Sequence, residues 1–338
     1  MVAADAGDSR GMIREQAMRM NPLRVLALGT LAAALAVGLA GSLAAQPAAA
    51  PQKGYDTPQQ AVEALLAAAE LNDVSALAEL FGPDGADLVS SGDPVQDKKY
   101  TAGFVSKARE KKTVVVDPQN RSRAILSVGN DDWPFPLPIV KRSGKWIFDS
   151  KAGRDEILFR RIGANELDAI QVCRGFVEAQ QEYAALARDL TGVTQYAQRI
   201  FSTPGKRDGL YWQNPDGTPG GPVSEAVARA IEEGYSPAVR SGYHGYYFKV
   251  LKGQGPAAPL GELDYVINGM MIGGFALIAV PADYGVSGVK TFMVSHDGIV
   301  YEKDLGPDSL SLAKAIERYN PDKTWRRTDD EWPPETGQ

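Results

Sequence analysis

The chain has 338 residues, 44% hydrophobic and 23% charged, with a formal net charge of −6. This is a globular composition long enough for two ordinary domains, and the mildly acidic balance argues against nucleic-acid binding, which needs clustered lysine and arginine to neutralise phosphates. Cys173 is the single cysteine, so the fold does without an intrachain disulfide.

Near the N-terminus Arg19 and Arg24 precede an apolar run, Val25 to Ala40, followed by small residues at Ser42-Leu43-Ala44 and Ala48-Ala49-Ala50. That order predicts a secretory signal peptide over residues 1–45 and a periplasmic or secreted product. An uncleaved anchor is the competing reading, but a run of about 16 residues falls short of the roughly 20 that a span needs; no stable membrane span is expected after cleavage. Asp5, Asp8 and Glu15 suit a signal peptide poorly, which points to a start at Met18 or Met20. Residues 46–54 are rich in Ala, Pro and Gln and read as a linker.

A first domain is expected over 55–162. Thr57-Pro58-Gln59-Gln60 is a capping box with proline at the first helical position, opening a helix that buries Val62, Leu65, Leu66 and Ala69. Asp73 caps a second helix carrying Val74, Leu77, Leu80 and Phe81, and Gly82 stops it. A loop with one helical turn follows to Gln96, then a helical stretch from Phe104 to Glu110. Thr113–Val116 and Ala124–Val128 read as strands, and Phe135–Lys141 pairs with Lys145–Phe148 across Arg142-Ser143-Gly144. Asn130-Asp131-Asp132 before Trp133-Pro134 reads as a turn.

The second domain, 163–322, is organised around a helix expected from Leu167 to Ala187. Asn165 stands as its N-cap and Asp168 in its first turn. Ala169, Val172, Phe176, Ala179, Tyr183 and Leu186 recur at steps of three and four, widened by Ile170, Cys173 and Val177, so one face is built for burial. Gln171, Arg174, Glu178, Gln181 and Glu182 fall on the other side. Val193–Phe201 is expected to be helical, Thr203–Pro222 to be a surface loop holding Tyr211 and Trp212, and Ser224 to cap a helix through Glu233 with Val227 and Ile231 buried.

A sheet completes this domain. His244–Leu251 alternates, with Tyr246, Phe248 and Val250 on one side and Tyr247 and Lys249 on the other. A Gly/Pro loop spans Gly253–Gly261, and Phe275–Val280 is apolar on both faces, as in a central strand. Phe292 and Val294 alternate with Thr291 and Ser295, then Asp297-Gly298 turns the chain into Ile299–Lys303. The fold class is therefore α+β, with a long helix packed on a C-terminal antiparallel meander. The tail, 323–338, holds Trp325 and Trp332 and either docks on the sheet edge or stays free.

Two helices followed by a sheet over Tyr55 to Ile162 resembles cystatin-like domains related to nuclear transport factor 2. Enzymes of that superfamily place histidine or carboxylate pairs in the cone, whereas the two histidines here, His244 and His296, both lie later. Several runs, Gly242 to Pro256, Tyr265 to Gly269, Gly273 to Leu277, Tyr284 to Gly288 and Val300 to Gly306, resemble the exported bacterial family known as domain of unknown function 2950. That resemblance implies an envelope location and no established activity. The helix-then-meander order also resembles the globular part of type IV pilins, although the Gly-Phe-Thr-Leu-x-Glu processing signature is absent.

No Gly-x-Ser-x-Gly elbow, zinc-spaced Cys/His set, Asp-x-Asp-x-Asp-Gly loop or glycine-rich phosphate cradle occurs. Neither a catalytic residue, a metal site nor a cofactor is assigned. The positive signal is aromatic: Tyr243, His244, Tyr246, Tyr265 and Tyr284 fall near strand ends, where they would line a groove for a sugar, a peptide or another envelope polymer. The bland alternative is that tyrosine is a good half-buried strand residue. The leading expectation is a non-enzymatic binding or assembly module for an envelope protein, peptide or glycan. An enzyme using Asp264, Glu262 and Asp283 is the alternative.

Overall fold

The computed structural model describes residues 52–89, 94–225, 227–228 and 242–329. The expected signal peptide, most of the linker, most of the helix after Ser224 (Ile231 included) and the tail from residue 330, with Trp332, lie outside them. The fold is α+β, and the chain divides into two compact units between Arg161 and Ile162. Each has its own apolar core.

In the first unit, helix α1 (Pro58–Leu71) begins at the capping box: Gln60 N–H donates to Thr57 Oγ1 at 3.2 Å, and the Gln60 side chain accepts from Thr57 N–H. Asp73 caps α2 (Val74–Phe81) through Ala76 N–H. Leu77, Leu80 and Phe81 are buried, whereas Val74, in the first turn, is 56% exposed. A 3-10 turn (Pro83–Gly85) and α3 (Ala86–Val89) follow. The next helix, α4, runs Pro94–Glu110, a longer element than the Phe104 start expected.

Strands β1 (Lys112–Val116), β2 (Arg123–Val128), β3 (Trp133–Pro134), β4 (Ile139–Arg142) and β5 (Lys145–Phe148) form an antiparallel sheet in the order β1-β2-β4-β5, with β3 on β2. The β4–β5 turn is two residues, Ser143 and Gly144, both at positive φ, the geometry whose twist matches a hairpin. Ala124, Leu126 and Val128 alternate inward from β2 to meet Val62, Leu65, Leu80 and Phe148. Each valine or leucine among them contributes about 2 kcal/mol on burial. Gln52 ties the start of the unit down, its amide donating to Leu80 C=O at 2.8 Å and Phe148 C=O at 2.7 Å. Asp131 and Asp132 sit in the expected turn and pair with Lys107 and Lys111.

Helix α5 is a continuous 42-residue element, Ser150–Thr191, that runs through the boundary between the units. Asn165 is therefore an interior residue and not an N-cap; the helix starts at Ser150, which the reading from Asn165 overlooked. Gly153 is allowed inside it because Leu137 leaves no room for a Cβ there. In the second unit the expected stripe is buried at Ala169, Ile170, Cys173, Phe176, Val177, Ala179 and Tyr183. It continues through Ala184 and Ala187, so Leu186 points outward at 39% exposure. Arg174 and Gln180, by contrast, are buried.

Gln180 explains why residues 193–201 are not the helix expected. Its amide donates to Ala197 C=O and accepts from Ala197 N–H, both at 2.8 Å, and Tyr196 N–H donates to Met271 C=O. With those backbone groups engaged elsewhere, the segment extends into β6 (Arg199–Phe201), which pairs in parallel with β7 (Gly209–Gln213). The expected surface loop thus contains β7 and β8 (Pro219–Gly220). Leu210, Tyr211 and Trp212 are buried, since Gly220 and Gly221 let the backbone close over the Trp212 ring. After it, Val227 N–H lies 3.4 Å from Ser224 Oγ, the start of the expected cap, but Val227 is 39% exposed and Ala228 takes the buried position.

The main sheet of the second unit runs β17-β16-β15-β14-β9, all antiparallel: β9 (Tyr246–Leu251), β14 (Ala276–Pro281), β15 (Lys290–Ser295), β16 (Val300–Asp304) and β17 (Arg326–Arg327). Between β9 and β14 lie two small ribbons, β10 (Gly253–Gln254) with β11 (Leu263–Asp264) and β12 (Val266–Ile267) with β13 (Met270–Met271). The register places Phe248, Ala279 and Phe292 on one face, in one core with Cys173 and Phe176 of α5. Lys249 lies on the other face and reaches Lys314 C=O and Glu317. A helix absent from the sequence reading, α6 (Ser309–Ala315), covers that side. Thr291, Ser295 and Leu251 are buried rather than facing solvent. The tail docks on the edge: β17 pairs with β16, and Trp325 joins the core. Among the described residues no helix is long and apolar enough to cross a membrane.

Candidate functional site

Tyr243, His244, Gly245 and Tyr246 form a tight turn leading into β9, closed by Tyr243 N–H to Tyr246 C=O at 2.9 Å and Tyr246 N–H to Tyr243 C=O at 3.0 Å. Both central residues are left-handed, His244 at φ 49° and Gly245 at φ 74°. Histidine is among the residues that tolerate this region, yet a non-glycine there still costs about 1 kcal/mol or more, which surrounding contacts must offset. Here they do. A Cβ on residue 245 would press against the Asn165 amide and Ser287, so only glycine fits.

Three residues of α5 hold this turn and its neighbouring loop. Asp168 Oδ2 lies 2.8 Å from His244 Nδ1, with side-chain exposures of 23% and 29%. Asn165 Nδ2 donates to Ser287 C=O at 2.8 Å, and Glu166 Oε1 accepts from the N–H groups of Val289 and Lys290, each at 3.0 Å. Ser287 Oγ in turn donates to Gly245 C=O at 2.8 Å. The imidazole is therefore fixed through one nitrogen by a carboxylate, with Nε2 pointing away from that partner, on a turn whose backbone is itself clamped. The Tyr243 ring stands edge-on to the imidazole at 4.3 Å between centroids. Burial and, second, the Asp168 charge hold the Tyr243 phenol above its ordinary value of 10.0.

The structure separates the five predicted site residues. Tyr243 and His244 are together and partly exposed. Tyr246 is fully buried, its hydroxyl donating to Lys290 C=O at 2.8 Å, and Tyr265 is fully buried, its hydroxyl donating to Gln254 Oε1 at 2.9 Å. Both are core tyrosines, with phenols pushed upward by burial. Tyr284 lies at the surface and donates to Asp304. The carboxylates divide as well: Asp264 and Glu262 flank Arg318 at 2.6 and 3.8 Å while remaining largely exposed, and Asp283 sits in the loop before Ser287, where its N–H donates to Ser287 Oγ. Asp168, Asn165 and Glu166 were missed as site residues. They are distant in sequence from His244 and carry no motif, so only the tertiary fold brings them there.

Residues 52–328 match the family model described as "Protein of unknown function (DUF2950)". The chain belongs to this family. No curated protein and no solved structure matches it. The runs by which the chain resembles the DUF2950 family include the site: 242–256 carries the His244 turn and β9, and 284–288 is the loop clamped by Asn165. Glycines in these runs, Gly242, Gly245, Gly274, Gly285 and Gly306, stand at positive φ, so their places are set by backbone geometry.

Two surface grooves lie in the first unit, lined between α1 and α4 by Ala69, Glu70, Val105 and Arg109 among others. Neither includes a residue of the His244 turn. Among the described residues no group of three or more His, Cys, Asp or Glu is placed to hold a metal ion.

Proposed function

We propose that this DUF2950 member is an exported, non-enzymatic binding module of the bacterial envelope, and that Tyr243, His244 and Asp168 are its contact surface. The observation that carries the reading is the clamped left-handed turn at His244: a partly exposed imidazole, oriented by Asp168 and flanked by an aromatic ring, on a backbone that costs free energy to hold. An aromatic face beside a fixed donor and acceptor suits a sugar ring or an extended peptide. Export is supported by Arg19 and Arg24 before the apolar run and by the small residues that follow it. The element order of each unit is the support for cystatin-like and pilin-like scaffolds, and neither scaffold carries a function with it.

The test is native mass spectrometry of the mature protein released gently from its own periplasm, with N-terminal sequencing. A glycan or peptide adduct lost in Tyr243→Ala and His244→Ala, on a chain beginning after Ala44 or Ala50, is expected. Turnover of an envelope substrate that disappears in His244→Ala would replace binding by acid–base chemistry at the same pair, and a chain retaining the apolar run from Val25 to Ala40 would overturn the cleaved-signal reading in favour of an anchor.

A further inference from the structure

Strand β1 pairs with β2, and among the described residues no strand pairs with its other side. The ladder fixes which backbone groups face that open side. Gly129 N–H donates to Lys111 C=O at 2.9 Å and Asp117 N–H donates to Arg123 C=O at 2.8 Å. In the antiparallel register, Lys111, Thr113, Val115 and Asp117 therefore bond toward β2, while Lys112, Val114 and Val116 direct their N–H and C=O groups outward. The edge is apolar as well, with Val115 53% and Val116 38% exposed. Lysines ordinarily guard such an edge. Here Lys111 pairs with Asp132 at 2.7 Å and Lys112 with Glu63 at 2.9 Å, within the chain.

The charges along the strand select the occupant. Two lysines stand at its start and Asp117 just past its end. A second copy running antiparallel about a two-fold axis at Val114 sets Lys111 opposite Asp117 of the other copy, and by symmetry the reverse. It also sets Lys112 opposite Val116 and Val114 opposite itself. The residues that meet as hydrogen-bonded pairs, 112, 114 and 116, are those whose backbone groups face outward, so parity and charge agree on one register. The Lys111 pair inside the chain is solvent-exposed and exchanges readily with Asp117 of the other copy, while Lys112 keeps its own exposed pair with Glu63. We propose that β1 is a homodimerisation edge, joining the first units of two copies into one continuous antiparallel sheet by an isologous strand pair.

Sedimentation velocity of the full mature chain over a concentration series tests this, with two substitutions at one site. Val116→Lys places an ammonium opposite Lys112 twice per dimer and is expected to weaken dimerisation about tenfold or more, while Val116→Glu places a carboxylate there and is expected to preserve or tighten it. Backbone hydrogen exchange gives an independent readout should either variant fold poorly. In the unsubstituted protein the amides of Lys112, Val114 and Val116 gain protection as concentration rises, whereas those of Thr113 and Val115 are protected throughout. A chain that stays monomeric, a dimer indifferent to the sign of the charge at position 116, or exchange at the outward amides that does not change with concentration would each overturn the proposal. So would pairing of this edge with another protein instead of a second copy.

Discussion

Asp168 Oδ2 stands 2.8 Å from His244 Nδ1, joining the middle of a long helix to a left-handed turn far away in the sequence. The carboxylate fixes the ring, so a neutral His244 carries its proton on Nδ1 and leaves Nε2 as an acceptor. Asp168→Asn removes a negative charge beside Tyr243. Because that charge is the second cause of the raised Tyr243 phenol, after burial, the variant is expected to titrate Tyr243 at lower pH while keeping it above 10.0. Phenolate absorbance followed in Tyr243→Phe difference titrations checks the direction; an unchanged midpoint would contradict the placement of Asp168.

Gly288 packs directly on the Tyr246 ring, with no space for a Cβ. Gly288→Ala is expected to destabilise the protein by about 2 kcal/mol, by forcing either the loop or the ring away from its place. Urea denaturation gives the value. A change within experimental error would mean that the 284–288 loop yields freely and does not clamp the turn.

Thr57→Ala removes the side-chain acceptor of Gln60 N–H and half of the capping box. A loss of about 1 kcal/mol is expected. It should appear in hydrogen exchange as faster opening of α1, and equal protection in variant and parent would refute the cap's contribution.

How much of this was legible in the sequence follows from where each signal resides. Thr57-Pro58, Ser143-Gly144 and Asp297-Gly298 act through their own backbone, and the corresponding caps and turns stand where read. The stripe from Ala169 to Tyr183 was readable because one periodic face meets one core. Other features depend on residues far away. Residues 193–201 are extended because Gln180 takes the Ala197 backbone, and Trp212 is buried because Gly220 and Gly221 let the chain close on it. The site shows the same division. Tyr243 and His244 are visible as an aromatic cluster before a strand, whereas Asn165 and Asp168 read as helix-start residues although α5 begins at Ser150, and Glu166 carries no signal of its own.

Stability should fall in strong alkali. Burial raises the phenols of Tyr246, Tyr265 and Tyr319 above 10.0 in the folded chain, chiefly by disfavouring the phenolate. A raised folded value means that the contribution is complete below 10.0, declines once the unfolded tyrosines release protons there, and is lost as pH passes the folded values. The urea midpoint should be flat to roughly pH 9 and then drop, with a shallower drop in Tyr265→Phe, which also loses about 1 kcal/mol from the Gln254 hydrogen bond. A slope unchanged by Tyr265→Phe would remove that residue from the account.

An imidazole-resolved NMR titration of the mature protein bears most directly on the His244 surface, with solubilised peptidoglycan glycan strands and stem peptides offered separately. Binding at the surface proposed would shift Tyr243, the His244 Nε2 resonance and Asp168 together with one of the two probes, saturably, and the shifts would vanish in Tyr243→Ala. Resonances at the turn that stay still with both probes, or that move equally in Tyr243→Ala, would contradict it.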